Sequence, residues 1–198
     1  IIQRDLKTVI MEDLEITGHK QAELVSSWMR ERMKDTLVVA NNPYMAKSVE
    51  VTQKNKEYQG FLRYLEMVAA EYGYMGAFVS NEEGVITVST FEKIVGNNIS
   101  KTDYFRNAIK GKTFTTGVVP SETPLLNEYG ELEVDLPTML VAAPLKDSDE
   151  NIIGVVALRI HLGILSNLML SNKFGKTGET YLVNKDGFML TESRFSKH

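Results

Sequence analysis

The apolar positions of this chain change period along its length. Between residues 1 and 40, Ile2, Leu6, Val9, Ile10, Leu14, Val25, Trp28, Met29, Leu37 and Val38 recur at roughly helical spacing. The spacing predicts one long helix with a weak point at Gly18. Its stop is Asn41-Asn42-Pro43, because proline lacks an N–H donor and restricts the residue before it. Such a helix exceeds the ordinary globular length. It is either one wall of a core or a stalk that pairs with a second copy of itself. A helical period returns over residues 54–72, with Tyr58, Phe61, Leu62, Leu65, Val68, Ala69 and Tyr72 on one face and Gly73 as the C-terminal stop. This aromatic stripe reads as core.

Beyond Gly73 the period falls to two. Strands are predicted over 75–80, 85–90, 114–119, 138–145 and 152–162. A short helix at 103–110 separates the second from the third, capped by Ser100 or Asp103 and ended by Gly111. Asp147 to Asn151 turns the last two strands into a hairpin. Its acids lack the glycine and distal glutamate of a calcium loop. Pro120 to Pro137 carries Glu122, Glu128, Glu131, Glu133 and Asp135 with no Lys or Arg. A connection this long is either a lid over a pocket mouth or a solvated excursion. Residues 163–174 read as a connecting helix. Gly175-Lys176-Thr177 reads as a turn, since Leu170 stands where a phosphate-binding loop needs glycine and no strand precedes it.

One pattern occurs twice. Phe78 to Thr90 and Thr180 to Ser193 each place an apolar, β-prone run on either side of an Asn-x-x-Gly turn. Asn81 matches Asn184 and Gly84 matches Gly187, at an offset of 103 residues. The offset is too long for a solenoid repeat. It predicts two copies of one module, the second only begun.

Composition narrows the function classes. The 198 residues are 43% hydrophobic and 24% charged, ordinary for a globular fold. A net charge of −4 offers no basic footprint for nucleic acid. The chain has no Cys, hence no thiolate or disulfide chemistry, and no apolar run of about 18 residues that would span a membrane. Its three His are His19, His161 and His198. No GxSxG, HExxH or Walker motif and no metal-ligand spacing is present, so neither catalysis nor a cofactor is expected.

Gly178 to Phe195, GETYLVNKDGFMLTESRF, resembles the opening of the membrane-proximal module of a double Cache (dCache) sensor domain. Ile99 to Ala108 resembles the helix entry of the membrane-distal module, and Gly154 to Leu162 resembles that module's last strand. The resemblance implies an α+β fold: a long N-terminal helix, a PAS-like module with a five-stranded antiparallel sheet, and the start of a second PAS-like module. The corresponding boundaries are a stalk helix over 1–42, a membrane-distal module over 43–162, and a connecting helix with the start of the membrane-proximal module over 163–198. It further implies the extracytoplasmic, periplasmic part of a prokaryotic receptor: a histidine kinase, chemoreceptor or cyclic-dinucleotide enzyme. Membrane helices would lie outside this sequence, and the stalk would self-associate.

Amino-acid-sensing members of that family carry R-x-W-Y-x-x-A on the short helix and an Asp on the last strand. Here Thr102 replaces the Arg, Tyr104 the Trp and Phe105 the Tyr. Ala108 is kept, and Arg159 stands for the strand Asp. A guanidinium in place of a carboxylate reverses the charge preference and favours carboxylate or phosphate. The expected ligand is therefore small and anionic, a carboxylate first. The expected contacts are Tyr104 and Phe105 as an apolar wall, Arg159 as the anion site, and Lys101 and Arg106 as further cations. The alternative for the last two is a solvated helix face. Arg159 interrupts a strand that is apolar on both faces through Leu158, with His161 on the same face. Its partner is water, an internal acid such as Asp103 or Glu92, or a ligand. Two other functions stay open: a ligand-free structural or protein-interaction module, and a hydrolase fragment.

Overall fold

The computed structural model describes residues 2–51, 55–121, 124–126, 131–170, 178–185, 187, 189–191 and 193. Helix α1 spans Ile2–Ala40 without a break at Gly18. Its end follows the expected stop. Asn42 turns the chain and caps α2 (Pro43–Ala46), its Oδ1 accepting from the Tyr44 N–H at 3.0 Å, with Pro43 at the first helical position. In the last turns of α1 the buried residues are Thr36, Val39 and Ala40, while Val38 is 67% exposed. The inward stripe is thus one residue out of phase with the one expected through Val38. A 310 turn at Lys47–Glu50 follows.

Helix α3 (Lys56–Tyr72) is capped by Asn55, whose side chain accepts from the Glu57 and Tyr58 N–H groups. It ends at Gly73 in the left-handed conformation (φ 73°). Tyr58, Phe61, Leu65, Val68 and Ala69 are buried, as the stripe requires, whereas Tyr72 is exposed.

The strands are β1 (Tyr74–Asn81), β2 (Ile86–Ser89), β3 (Phe114–Thr115), β4 (Val119–Pro120), β5 (Leu125–Leu126), β6 (Leu132–Glu133), β7 (Pro137–Lys146) and β8 (Ile152–Ile160). The main sheet is antiparallel with the path β2-β1-β8-β7-β3, and β4 also pairs with β7. The path has the five strands expected. The strand expected over 114–119 splits into β3 and β4, both laid on β7, which makes six. Strands β5 and β6 form a separate two-stranded ladder inside the 120–137 excursion. Between β2 and β3 lie a 310 turn (Glu92–Ile94) and helix α4 (Asp103–Ala108).

The sheet has two buried faces. On one, α3 lies against β1 and β2. On the other, Phe78, Leu140, Ala142, Val155 and Ala157 pack with Ile86, Ile94, Ile99, Tyr104, Phe105 and Ala108 around α4. The β1–β8 contact is close enough that a Cβ on Gly154 would collide with the Ser80 carbonyl oxygen. The hairpin at Asp147–Asn151 forms as predicted: Asp147 N–H donates to the Asn151 carbonyl, and Asp147 Oδ1 accepts from the Asp149 and Asn151 N–H groups.

Residues 32–162 make one compact unit; residues 1–31 and 163–198 make a second. In the second, α5 (Leu162–Leu170) precedes the repeated turn. Gly187 N–H donates to Asn184 O at 3.0 Å with Gly187 at φ 86°, and Gly84 N–H donates to Asn81 O at 3.1 Å with Gly84 at φ 82°. The Gly-to-Asn hydrogen bond and the positive φ of the glycine thus recur at both positions of the repeat. Among the described residues around Gly187, Val183 and Met189 form a bridge and Leu190 N–H donates to Leu182 O. Gly175-Lys176-Thr177 and residues 171–174 of the predicted connecting helix lie outside the described residues.

Candidate functional site

The site is built where the α4 face of the sheet runs out of apolar side chains. Along β8 the inward residues are Val155, Ala157 and then Arg159. Leu140 of β7 and Gly76 of β1 pair with Arg159 across the two ladders. A Cβ at Gly76 would press on Thr90 Oγ1, so glycine lets β1 approach the end of β2 here. Arg159 is only 8% exposed. Its Nη1 donates to Thr138 Oγ1 at 3.2 Å, a diagonal contact that the β7–β8 register creates.

A cavity of about 700 Å³ opens beside Arg159. Phe78, Ile94, Ile99, Leu140 and Tyr104 form its apolar floor, and the Phe78 and Tyr104 rings meet edge to face at 6.3 Å. Asn97, Asn98 and Asp103 stand on the rim next to α4. Asn98 is held in place, its Nδ2 donating to Glu83 O at 3.0 Å and its Oδ1 accepting from Ser100 N–H at 2.9 Å. The opposite side is the base of the 120–137 excursion. Ser121 N–H donates to Leu136 O and Asp135 N–H to Ser121 O, which sets Ser121 and Asp135 into the cavity wall. Asp135 takes the left-handed conformation (φ 63°). The excursion therefore walls a pocket and carries its own ladder. A volume of this size suits a compound larger than a bare carboxylate.

Among the sequence-expected contacts, Tyr104 and Arg159 line this cavity. Phe105 does not; it is buried in the core beneath α4. Lys101 and Arg106 are exposed and outside the lining: α4 turns residues 104, 105 and 108 inward and leaves 106 on its outer side, and Lys101 lies in the turn before the helix. The helix cap is Thr102, whose Oγ1 accepts from Phe105 N–H, rather than Ser100 or Asp103. His161 lies just past the end of β8 and is exposed. Thr138, Asp135, Asn97 and Asn98 were not anticipated. Only strand register and the fold of the excursion bring them to Arg159's cavity.

A sheet with a helical layer on each face, a long leading helix and a cavity between the sheet and a short helix is the architecture of a sensor-type Cache module. The Cache domain family dCache_1 matches residues 2–197, and the chain belongs to that family. The sensor domain of the V. cholerae histidine kinase DctB is similar in fold, with a TM-score of 0.63 at 13% identity over 81% of this chain and 59% of that one. The chain thus spans somewhat under two thirds of that domain. The ligand-binding domain of the Pseudomonas fluorescens chemoreceptor CtaA, solved with L-alanine, gives 0.59 at 18% identity over 91% and 71%. The sensory domain of the Campylobacter jejuni chemoreceptor Tlp3, solved with isoleucine, gives 0.61 at 15% identity over 86% and 65%. Comparison with curated protein sequences returned no match. No described helix is long and apolar enough to cross a membrane.

Proposed function

We propose that this chain is the extracytoplasmic, periplasmic ligand-sensing part of a transmembrane signalling receptor, and that it binds a small carboxylate in the cavity beside Arg159. The observation that carries the reading is a guanidinium, nearly buried, hydrogen-bonded to a hydroxyl and lining an open cavity. A nearly buried guanidinium that lines a cavity draws a carboxylate more strongly than an exposed one, since burial strengthens its pull on an oxygen pair. Tyr104 supplies the apolar wall. Family membership and the resemblance to sensor domains support the sensing role over the hydrolase alternative. The open cavity argues against a module that fills its pocket with its own side chains. Ligand binding at this site would bias α1 between two arrangements, a population shift passed to an output domain.

Calorimetry with acetate, lactate, L-alanine and L-isoleucine tests the site. Arg159→Ala should lower carboxylate affinity by about 2–5 kcal/mol while the protein stays folded. Unchanged carboxylate binding by a folded variant would defeat the proposal. A variant that unfolds would support an internal ion pair instead, and Arg159→Lys then reports on geometry with the charge retained.

A further inference from the structure

The cavity at Arg159 has a neighbour. A second chamber of about 310 Å³ lies between the start of β1, the end of β2 and residues Pro124, Leu125 and Leu132 of the excursion. Phe78, Ile94 and Arg159 belong to the walls of both. The chemistry of the two spaces differs. The larger one has Asp103 and Asp135 at its rim, whereas Arg159 is the one charged residue among the described residues that line the smaller. Met75, Phe91, Leu125 and Leu132 give the smaller chamber apolar walls. Its hydroxyls are already engaged. Ser89 Oγ accepts from Phe91 N–H at 3.0 Å, and Thr90 Oγ1 accepts from Ala77 N–H at 2.9 Å and donates to Ala77 O at 3.2 Å.

We propose that the smaller chamber takes the apolar chain of an amphipathic monocarboxylate whose head group is held at Arg159 and Thr138. This rests on the reading of Arg159 as the anion site and adds the class of substituent. The guanidinium stands at the junction, so a carboxylate bound there can send its chain into the chamber without passing Asp103 or Asp135. At about 30 Å³ per water-sized volume, the chamber holds on the order of ten non-hydrogen atoms, a chain of about six to eight carbons.

The test is a calorimetric series of straight-chain carboxylates from acetate to octanoate on the full chain, with octanol as the uncharged control. Affinity should rise by up to roughly fourfold per methylene. Octanol should bind at least about tenfold more weakly than octanoate. Leu132→Glu should flatten the series, and Met75→Glu, from the opposite wall, does the same where the first variant does not fold. A flat series with acetate still bound overturns this inference and leaves the anion site intact. No binding of any carboxylate overturns the site and the inference together. A rising series untouched by both variants, or octanol binding as well as octanoate, places the chain elsewhere and overturns the inference alone.

Discussion

At the scale of single residues the chemistry turns on charges placed at different depths. Arg159 is nearly buried, while Asp103 and Asp135 are exposed on the rim of the same cavity. The two acids oppose the approach of an anion and favour one negative charge over two. Replacing both, as Asp103→Asn with Asp135→Asn, should strengthen acetate binding. The gain should stay within about 1 kcal/mol because exposed charges are screened. Raising salt from low to about 0.5 M should erase most of the difference. A variant that binds acetate more weakly would mean that the acids position the ligand. Thr138 acts at the same scale from a buried position: Thr138→Val removes the hydroxyl that orients Arg159 and should weaken carboxylate binding while the β7–β8 ladder stays intact.

At the scale of elements the question is what ties α1 to the sheet. Tyr74, first residue of β1, donates its hydroxyl hydrogen to Asp35 Oδ2 at 2.9 Å. Arg32 pairs with Asp35 at 3.0 Å and lies 5.5 Å from the centre of the Tyr74 ring. Burial first, and then the hydrogen bond to Asp35, push the Tyr74 hydroxyl well above its ordinary range near 10. The folded state therefore holds this proton more tightly than the unfolded chain. Its stabilising contribution is complete below about pH 10 and is lost as pH rises through the folded value. Tyr74→Phe should cost about 1 kcal/mol at pH 7. It should also make the melting temperature less sensitive to pH between about 9 and 11. Thermal melts across that range would show it, and an unchanged alkaline slope would count against the coupling.

At the scale of the whole molecule, the exposed apolar row of α1 and the C-terminal copy of the repeat each lead to a measurement. Leu6, Val9, Ile10, Met11 and Leu14 are all exposed on the N-terminal half of α1, Leu6 at 59%. A row of this kind on a long helix suits pairing with a second copy. Sedimentation should show self-association at high concentration that is lost in Leu6→Glu/Ile10→Glu, and a strict monomer in the wild type would remove the idea. At the other end, among the described residues of 180–193, Val183 and Met189 form an isolated bridge, where the matching segment in the first module belongs to the main sheet. Amides in that region should exchange faster than those of β8. Equal protection would mean that this segment is packed as firmly as the main sheet.

What the sequence determined by itself were the features whose physics is local. Helical period, the Asn42-Pro43 stop, the left-handed Gly73, the paired Asn-x-x-Gly turns and the 147–151 hairpin all depend on residues within a few positions of each other, and all are present. Even Arg159 was legible, because a cation after a run of Val, Ala and Leu stands out without any knowledge of its neighbours. The tertiary structure decided the rest. It broke the strand expected at 114–119 into β3 and β4, since pairing with β7 governs where a ladder holds. It moved the cap to Thr102 and turned Arg106 outward, because the phase of a six-residue helix is set by what Tyr104, Phe105 and Ala108 pack against. It brought Thr138 to Arg159 and set Asp135 and Asp103 in the lining of one cavity, and these groups come together through register and the fold of the excursion. No pattern along the chain encodes those distances; they are properties of the packed sheet.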